Sequence, residues 1–216
     1  MFVDRLALFV GRLLLWGSRG RVIDGLWIGS MESEPEFSLG RVEDALLLIK
    51  HCDGVHYSRV IRNLSRIWVN LIPDSVAHYN CSLNACVLDE RYIRNEATTT
   101  EDIASSIVHE ATHARLEKWG VVYDEAKRPR IEAICVRRQL NFVSRLPDNG
   151  PFQQKVVDTL KWLADDHAFF SDANFQRRDQ EGVEEALRYL NTPNWLIRWA
   201  NWRARRREQR AALSGP

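Results

Sequence analysis

The chain has 216 residues, 45% of them hydrophobic and 27% charged, so it can bury the core of one globular domain. Thirty basic against 29 acidic residues give a formal net charge of +1, which excludes a globally basic nucleic-acid binder and an acidic solvating tail protein. The charge is unevenly spread, because residues 195–216 carry six arginines and one glutamate while the rest of the chain is slightly acidic. Four cysteines are too few for a disulfide-stapled scaffold.

The N-terminus carries an apolar run over residues 6–16, interrupted by Arg12. The run falls short of the ~20 apolar residues that span a bilayer, so we expect residues 1–28 to form an amphipathic segment that contains a short helix. Such a helix either packs on the domain or touches a membrane surface or a partner. No clear secretory signal is present, so we expect a cytoplasmic protein, peripheral to a membrane if a terminal helix binds one.

The remaining elements are predicted from periodicity and turn residues. The polar, turn-rich residues 29–38 predict a loop, and residues 42–51 have helical spacing. Residues 66–72 and 85–93 are rich in β-branched or aromatic side chains and predict strands. From residue 100 onward the pattern predicts helices over residues 101–119, 129–146, 152–168, 180–190 and 193–212. A few strands followed by many helices predict an α+β fold in a single domain.

The helix predicted over residues 101–119 has the clearest boundaries. Threonines at positions 98–100 offer N-cap hydroxyls, and Glu101 and Asp102 place negative charge where the helix dipole favours it. Gly120 follows as a C-cap. This helix contains the one motif in the chain that points to specific chemistry.

That motif is His109-Glu110-Ala-Thr-His113. Histidines four residues apart lie about one turn apart on one helical face, so both imidazoles can bind one metal ion while Glu110 points toward the metal-bound water. A catalytic zinc usually has a third protein ligand. Glu132 follows His113 after 18 residues, in the first turn of the helix predicted to start near Pro129. A loop of about nine residues lets the two helices pack antiparallel, which brings Glu132 beside the histidines.

The spacing of His109, Glu110, His113 and Glu132 resembles that of zincin metallopeptidases of the gluzincin type, in which two histidines and a downstream glutamate hold zinc. The resemblance covers residues 100–138. It implies a Zn2+ ion held by His109, His113 and Glu132, with Glu110 as the general base. It further implies a metallopeptidase that hydrolyses a peptide bond of a peptide or protein substrate by Glu-assisted attack of zinc-bound water. In such folds the strand before the active helix binds extended peptide by edge pairing, and here we expect that strand at 85–93.

Two further parts of a gluzincin site are less complete in this chain. Many gluzincins carry an acidic residue one turn after the third ligand, where it orients a ligating histidine. Val136 stands at that position, so the orienting partner must come from elsewhere. Oxyanion stabilisation also needs a hydrogen-bond donor, and spacing does not choose among Tyr123, Tyr189 and His167.

Other polar residues compete weakly for a metal site. Glu117 and Glu125 are alternatives to Glu132 as the third ligand, at less suitable positions. Small clusters of histidine and cysteine are interpreted as ordinary loop or core residues rather than as a second metal site. These cluster residues are His51, Cys52, His56, Cys81 and Cys86.

Residues 193–216 predict a basic helix rich in tryptophan and arginine. Trp195, Trp199 and Trp202 fall on one helical face and are followed by a run of arginines. In one interpretation the tryptophans pack on the domain and the arginines form a solvated end. In the other, the helix binds an anionic membrane surface, a nucleic acid or an acidic partner, with no specific nucleic acid predicted.

Three alternatives to a peptidase therefore stay open at this point. The first is a zinc hydrolase that acts on a non-peptide amide or ester. The second is a zincin-fold binding or regulatory module without turnover. The third is an interaction protein that works through its basic C-terminal helix.

Overall fold

The structure is a computed structural model that describes residues 11, 13–147, 149–165, 168–199, 202 and 206. Its strands are β1 (Arg19–Ile23), β2 (Leu26–Ser30), β3 (Arg66–Asn70), β4 (Ala77–Asn80) and β5 (Ala85–Asp89). The helices of the N-terminal half are α1 (Glu36–Cys52), α2 (Gly54–Asn63) and α3 (Glu90–Arg94). The longer helices of the C-terminal half are α4 (Thr100–Lys118), α5 (Arg128–Val143), α6 (Gly150–Asp165) and α7 (Asp172–Tyr189). The predicted α+β fold is confirmed, since a small mixed sheet precedes a helical C-terminal part.

The sheet has five strands in the order β1-β2-β3-β5-β4. Strands β2, β3 and β5 are parallel, and β1 and β4 run antiparallel at the two edges. All five residues of β5 are buried, as expected for an inner strand covered on both faces. The apolar core lies between this sheet and helices α1 and α4.

The expectation that residues 85–93 form the edge strand is wrong. Strand β5 pairs with β3 on one side and β4 on the other, so its ladder groups are already used. The chain leaves the sheet at Asp89, whose side chain accepts the backbone N–H of Tyr92 and caps helix α3. The edge strand beside α4 is instead β4, a four-residue strand that the sequence pattern did not predict.

The N-terminal segment is only partly helical. Residues 13–17 are helical, but β1 and β2 then form a hairpin through Asp24 and Gly25, whose φ angles of 48° and 85° suit a two-residue turn of the Asp-Gly type. The described end of the segment packs on the sheet, because Leu15 contacts an apolar cluster and Ser18 Oγ accepts a hydrogen bond from Trp68 Nε1 at 3.0 Å. The start of the predicted amphipathic run, residues 1–10, lies outside the described residues.

Some element boundaries differ from the predicted ones. Helix α1 begins at Glu36, earlier than the predicted residue 42, so the predicted loop over 29–38 is shorter and partly strand. The last predicted helix begins in residues 194–199, and most residues after 199 lie outside the described part of the chain. No helix among the described residues is long and apolar enough to cross a lipid bilayer.

A buried Asp–His pair at the start of α2 is linked to the end of α5 through Arg145. The carboxylate of Asp53 caps α2 by accepting the backbone N–H groups of Val55 and His56. Its Oδ2 atom lies 2.5 Å from His56 Nδ1 and 2.8 Å from Arg145 Nη1. Burial lowers the pKa of His56 below its usual 6.5, against the opposing effect of Asp53. In the folded protein the imidazole is therefore neutral near pH 7 and donates its Nδ1–H to Asp53.

This pair predicts a stability loss on mild acidification. The unfolded chain takes up a proton on His56 near pH 6.5, whereas the folded chain does so only at lower pH, so the free energy of unfolding falls as the pH drops through 6.5. His56→Asn keeps an N–H donor toward Asp53 but does not titrate. Urea unfolding at pH 7.5 and 5.5 should show a larger decrease for the wild type than for His56→Asn. Parallel decreases would contradict a neutral buried His56.

Candidate metal centre

Helix α4 is positioned by its ends and by its small buried face. At the N-terminus Thr99 and Asp102 form a capping box, each side chain accepting the backbone N–H of the other residue. The buried face contains small side chains, among them Ala104, Ala111 and Ala114, which let α4 pack closely against the core and α5. The helix therefore presents a fixed face, with His109 and His113, toward α5.

The structure brings His109, His113 and Glu132 together. The two Nε2 atoms of the histidines are 3.1 Å apart. Glu132 Oε2 lies 3.2 Å from His109 Nε2, and Glu132 Oε1 lies 3.4 Å from His113 Nε2. Three side chains thus present two imidazole nitrogens and two carboxylate oxygens at distances of 3.1 to 3.4 Å, a set of ligand atoms that one small cation can bind in common. Glu117 and Glu125 are engaged elsewhere, because Glu117 is a hydrogen-bond partner of Tyr79 and Glu125 accepts the backbone N–H of Asp172 at 3.2 Å.

Charge complementarity already holds the cluster together. Burial disfavours the charged form of His109, but its hydrogen bond to Glu132 and the nearby carboxylates outweigh this and raise the pKa of His109 to about 9. Burial acts in the opposite sense on Glu132, yet the two imidazoles keep the pKa of this carboxyl well below its usual range. Glu132 is therefore ionised, as a metal ligand must be, and a cation that binds here replaces a proton on His109.

A glutamine orients His109. Gln139 Oε1 lies 3.3 Å from His109 Nδ1, and the amide nitrogen of Gln139 donates to Ser105 Oγ at 2.6 Å. Because the raised pKa of His109 keeps the imidazole protonated near pH 7, Nδ1–H donates to Gln139 Oε1, and loss of the Nε2 proton would leave Nε2 with a lone pair for a metal ion. Gln139 thus takes the place that Val136 leaves unfilled, two turns rather than one after Glu132. The sequence search missed it because it sought an acidic residue.

Cys135 is an alternative to Glu132 as the third ligand beside the two histidines. Its Sγ atom lies within 4.8 Å of the ligand atoms of His109 and His113, and the side chain is fully buried on α5. Burial raises the pKa of the Cys135 thiol far above its usual range, and the charges of Glu132 and Glu110 act in the same direction. Cys135 is therefore neutral, whereas the carboxylate of Glu132 is ionised and lies 3.2 Å and 3.4 Å from the two imidazoles. Among the described residues, His109, His113 and Cys135 also form a group of ligand atoms compact enough for a metal ion.

Glu110 lies buried beside the cluster, with 6% of its surface exposed. No described residue forms a hydrogen bond to its carboxylate. The nearest edge strand contributes His78, whose pKa is lowered by burial and pulled upward by the charge of Glu110. Glu110 is therefore a buried side chain beside the histidines that no described residue ties down by a hydrogen bond.

Tyr123 closes the other side of the cluster. Its hydroxyl donates to Glu132 Oε1 at 2.6 Å, and its ring packs edge-on against His113 with centroids 5.5 Å apart. Burial and the charge of Glu132 raise the pKa of Tyr123, so it stays a hydrogen-bond donor. Of the other two proposed donors, Tyr189 bonds to Glu90 at 3.0 Å, and His167 lies outside the described residues. Of the two candidate donors that the structure describes, Tyr123 is therefore the one that contacts the cluster, through its hydrogen bond to Glu132.

Comparison with models of known protein families, with curated proteins and with solved structures finds no match to this chain.

The geometry predicts different roles for the two neighbouring side chains of α5. Glu132→Gln removes the ionised ligand and should weaken zinc binding by roughly 100-fold or more, whereas Cys135→Ala should change the affinity by less than about threefold. Competition with a chromophoric chelator measures both affinities, and circular dichroism checks that both variants are folded. A larger loss in Cys135→Ala than in Glu132→Gln would assign the third ligand to the sulfur.

Proposed function

We propose that the protein is a zinc-dependent metallopeptidase of the gluzincin type. The observation that carries the proposal is the convergence of His109, His113 and Glu132, with nitrogen and oxygen donors 3.1 to 3.4 Å apart. Two imidazoles and one carboxylate are a donor set that zinc favours, and they leave a coordination position open. The ion would supply a Lewis acid and lower the pKa of a coordinated water toward ~7.

Glu110 is the proposed general base. Its position between the two histidines in sequence places it on the same part of α4, where it is buried beside them. In the proposed reaction Glu110 accepts a proton from the attacking water and returns it to the leaving amine nitrogen. The hydroxyl of Tyr123, which donates its single proton to Glu132 Oε1 in the structure, would turn to the carbonyl oxygen as negative charge develops there.

Edge strand β4 supports a peptide substrate over a small ester or amide. It is antiparallel to β5, packs beside α4, and has a ladder partner on one side only among the described strands. An extended peptide can add to such an edge through main-chain hydrogen bonds, which would bring its carbonyl groups near the catalytic helix. His78 of β4 lies close enough to Glu110 to feel its charge, so this edge borders the site.

The redox state of the four cysteines indicates in which cellular compartment the proposed activity would take place. All are free thiols, and Cys81 is exposed. Exposed unpaired thiols are typical of proteins in a reducing compartment. This supports a cytoplasmic setting as part of the proposal.

Replacing Glu110 tests the mechanism. Glu110→Gln should retain nearly one zinc per chain but lose at least about 100-fold in peptide hydrolysis, because the amide does not accept the proton. Zinc content by elemental analysis and turnover of a broad peptide library, together with ester and amide substrates, measure the two effects separately.

His113→Ala is the matched control for Glu110→Gln. It should lose both zinc and activity, since it removes a ligand. Equal turnover by the wild type and Glu110→Gln would refute the proposed mechanism. Zinc binding without turnover of any substrate class would favour a binding module, and hydrolysis confined to esters or non-peptide amides would favour the other hydrolase.

A second candidate role concerns the C-terminal helix, for which the structure favours interaction over packing. Residues 194–199 are helical, and Ile197 is buried at 4% exposure. Trp195, Trp199 and Trp202 share a different face and are 69%, 46% and 49% exposed. The arginines after Trp202 give this end a positive charge. Exposed indoles beside arginines suit an anionic membrane surface, where tryptophan prefers the interface.

Vesicle binding tests this role. The wild type should sediment with vesicles of phosphatidylglycerol and phosphatidylcholine, should not sediment with pure phosphatidylcholine, and should be released by about 0.5 M salt. Trp195→Ser combined with Trp202→Ser should weaken binding by about tenfold or more. Trp119→Ser, which changes a tryptophan 65% exposed elsewhere, is the control. Equal binding by the control and the double variant would rule out this helix as the contact.

A further inference from the structure

A second, positively charged site lies apart from the metal ligands. A small cavity opens between α2, α4 and α5, and three arginines, one from each helix, line it: Arg59, Arg115 and Arg138. The cavity contacts α4 through Val108, Ala111, Thr112 and Arg115, on a different face of the helix from His109 and His113.

The three guanidinium groups are not neutralised by the protein. No carboxylate among the described residues forms an ion pair with Arg59, Arg115 or Arg138. They are close enough to affect one another: the pKa of Arg59 is lowered first by burial and then by the charges of Arg115 and Arg138. Arg115 is held in place by stacking on Trp119, with its guanidinium carbon 4.2 Å from the ring centroid. Gathering like charges in one cavity costs free energy unless an anion joins them.

A buried histidine supplies an independent sign of a ligand. His56 lines the same cavity and is 4% exposed, and its Nε2 atom is buried without any hydrogen-bond partner among the described residues. Its Nδ1–H donates to Asp53 Oδ2 at 2.5 Å, so Nε2 is an unsatisfied acceptor. Leaving such an atom unpaired is unfavourable, and buried polar groups are usually satisfied by a partner. The negative charge of Asp53 is compensated by Arg145, whose Nη1 lies 2.8 Å from Asp53 Oδ2.

We propose that this cavity binds a phosphate group, either of free phosphate or of a phosphate monoester. The cavity wall offers guanidinium donors and one unsatisfied acceptor, His56 Nε2, and phosphate can pair with both. Its anionic oxygens accept hydrogen bonds from the guanidinium groups, and the P–OH of its singly protonated form donates to His56 Nε2. Sulfate lacks that proton at neutral pH, and a carboxylate is acceptor-only once ionised. Val108, Ala111 and Ile134 form an apolar wall beside the charges, against which the carbon part of a monoester can pack. The inference is independent of the proposed peptidase activity.

Calorimetric titration at pH 7 with inorganic phosphate, phenyl phosphate and sulfate tests the proposal. Phosphate should bind saturably and at least about tenfold more tightly than sulfate. Tighter binding of phenyl phosphate than of inorganic phosphate would identify a monoester site, and equal binding a site for the free ion; either supports the proposal. Equal binding of phosphate and sulfate, or no saturable binding, would overturn it.

Variants locate the binding at this cavity. Arg138→Gln changes an exposed side chain and should weaken phosphate binding by about tenfold, the size expected for one charge-assisted hydrogen bond. Arg137→Gln, the neighbouring exposed arginine on α5 that does not line the cavity, is the matched control and should bind within about twofold of the wild type. Equal losses in both variants, or none in either, would contradict the site. In the wild type, the His56 Nε2 resonance in nitrogen-15 NMR should shift on phosphate addition, and an unchanged resonance would also overturn the proposal.

Discussion

The packing of α4 between the sheet and α5 is the constraint on which both sites depend. The buried face of α4 is built largely from small and β-branched side chains, so the helix lies close to the core and has little freedom to rotate about its axis. A rotation by one residue, about 100°, would turn His109 and His113 away from Glu132 and bury a polar residue in their place. The convergence of the three donors is therefore fixed first by apolar packing. The mutual attraction of Glu132 and the imidazoles then further stabilises the arrangement that apolar packing has set.

The parts of the metal centre that the sequence could predict are those with local signals. The position of α4 follows from the capping threonines, the two histidines share a face because of helical spacing, and Pro129 marks the start of the helix that carries Glu132. Gln139, Tyr123 and Cys135 lacked such a signal. Whether each one faces the histidines depends on how α5 is turned against α4 and on the path of the preceding loop, and neither is encoded in the spacing of a few residues.

In the sheet, too, features with a local sequence signal can be predicted, whereas features set by tertiary packing cannot. The Asp24-Gly25 dipeptide is a strong local sign of a hairpin that periodicity alone overlooked, whereas the order of strands has no local sign. An apolar run such as β5 has the same pattern whether one or two neighbours pair with it. The strand that does form the edge, β4, is short and contains His78 and Tyr79 among small and polar residues, so it does not resemble a core strand. Short polar edge strands limit unwanted pairing, which is also why they are hard to find in a sequence.

The phosphate-type cavity and the metal centre use the same pair of helices. Arg115 and His113 lie on α4, and Arg138 and Glu132 lie on α5, so an anion held between the arginines would bridge the two helices whose spacing brings the candidate metal ligands together. Any ligand that stabilises one α4–α5 spacing favours every contact that depends on it, and the linkage is reciprocal. The two proposed sites on this helix pair would thus be coupled through packing, without a chain of polar contacts between them.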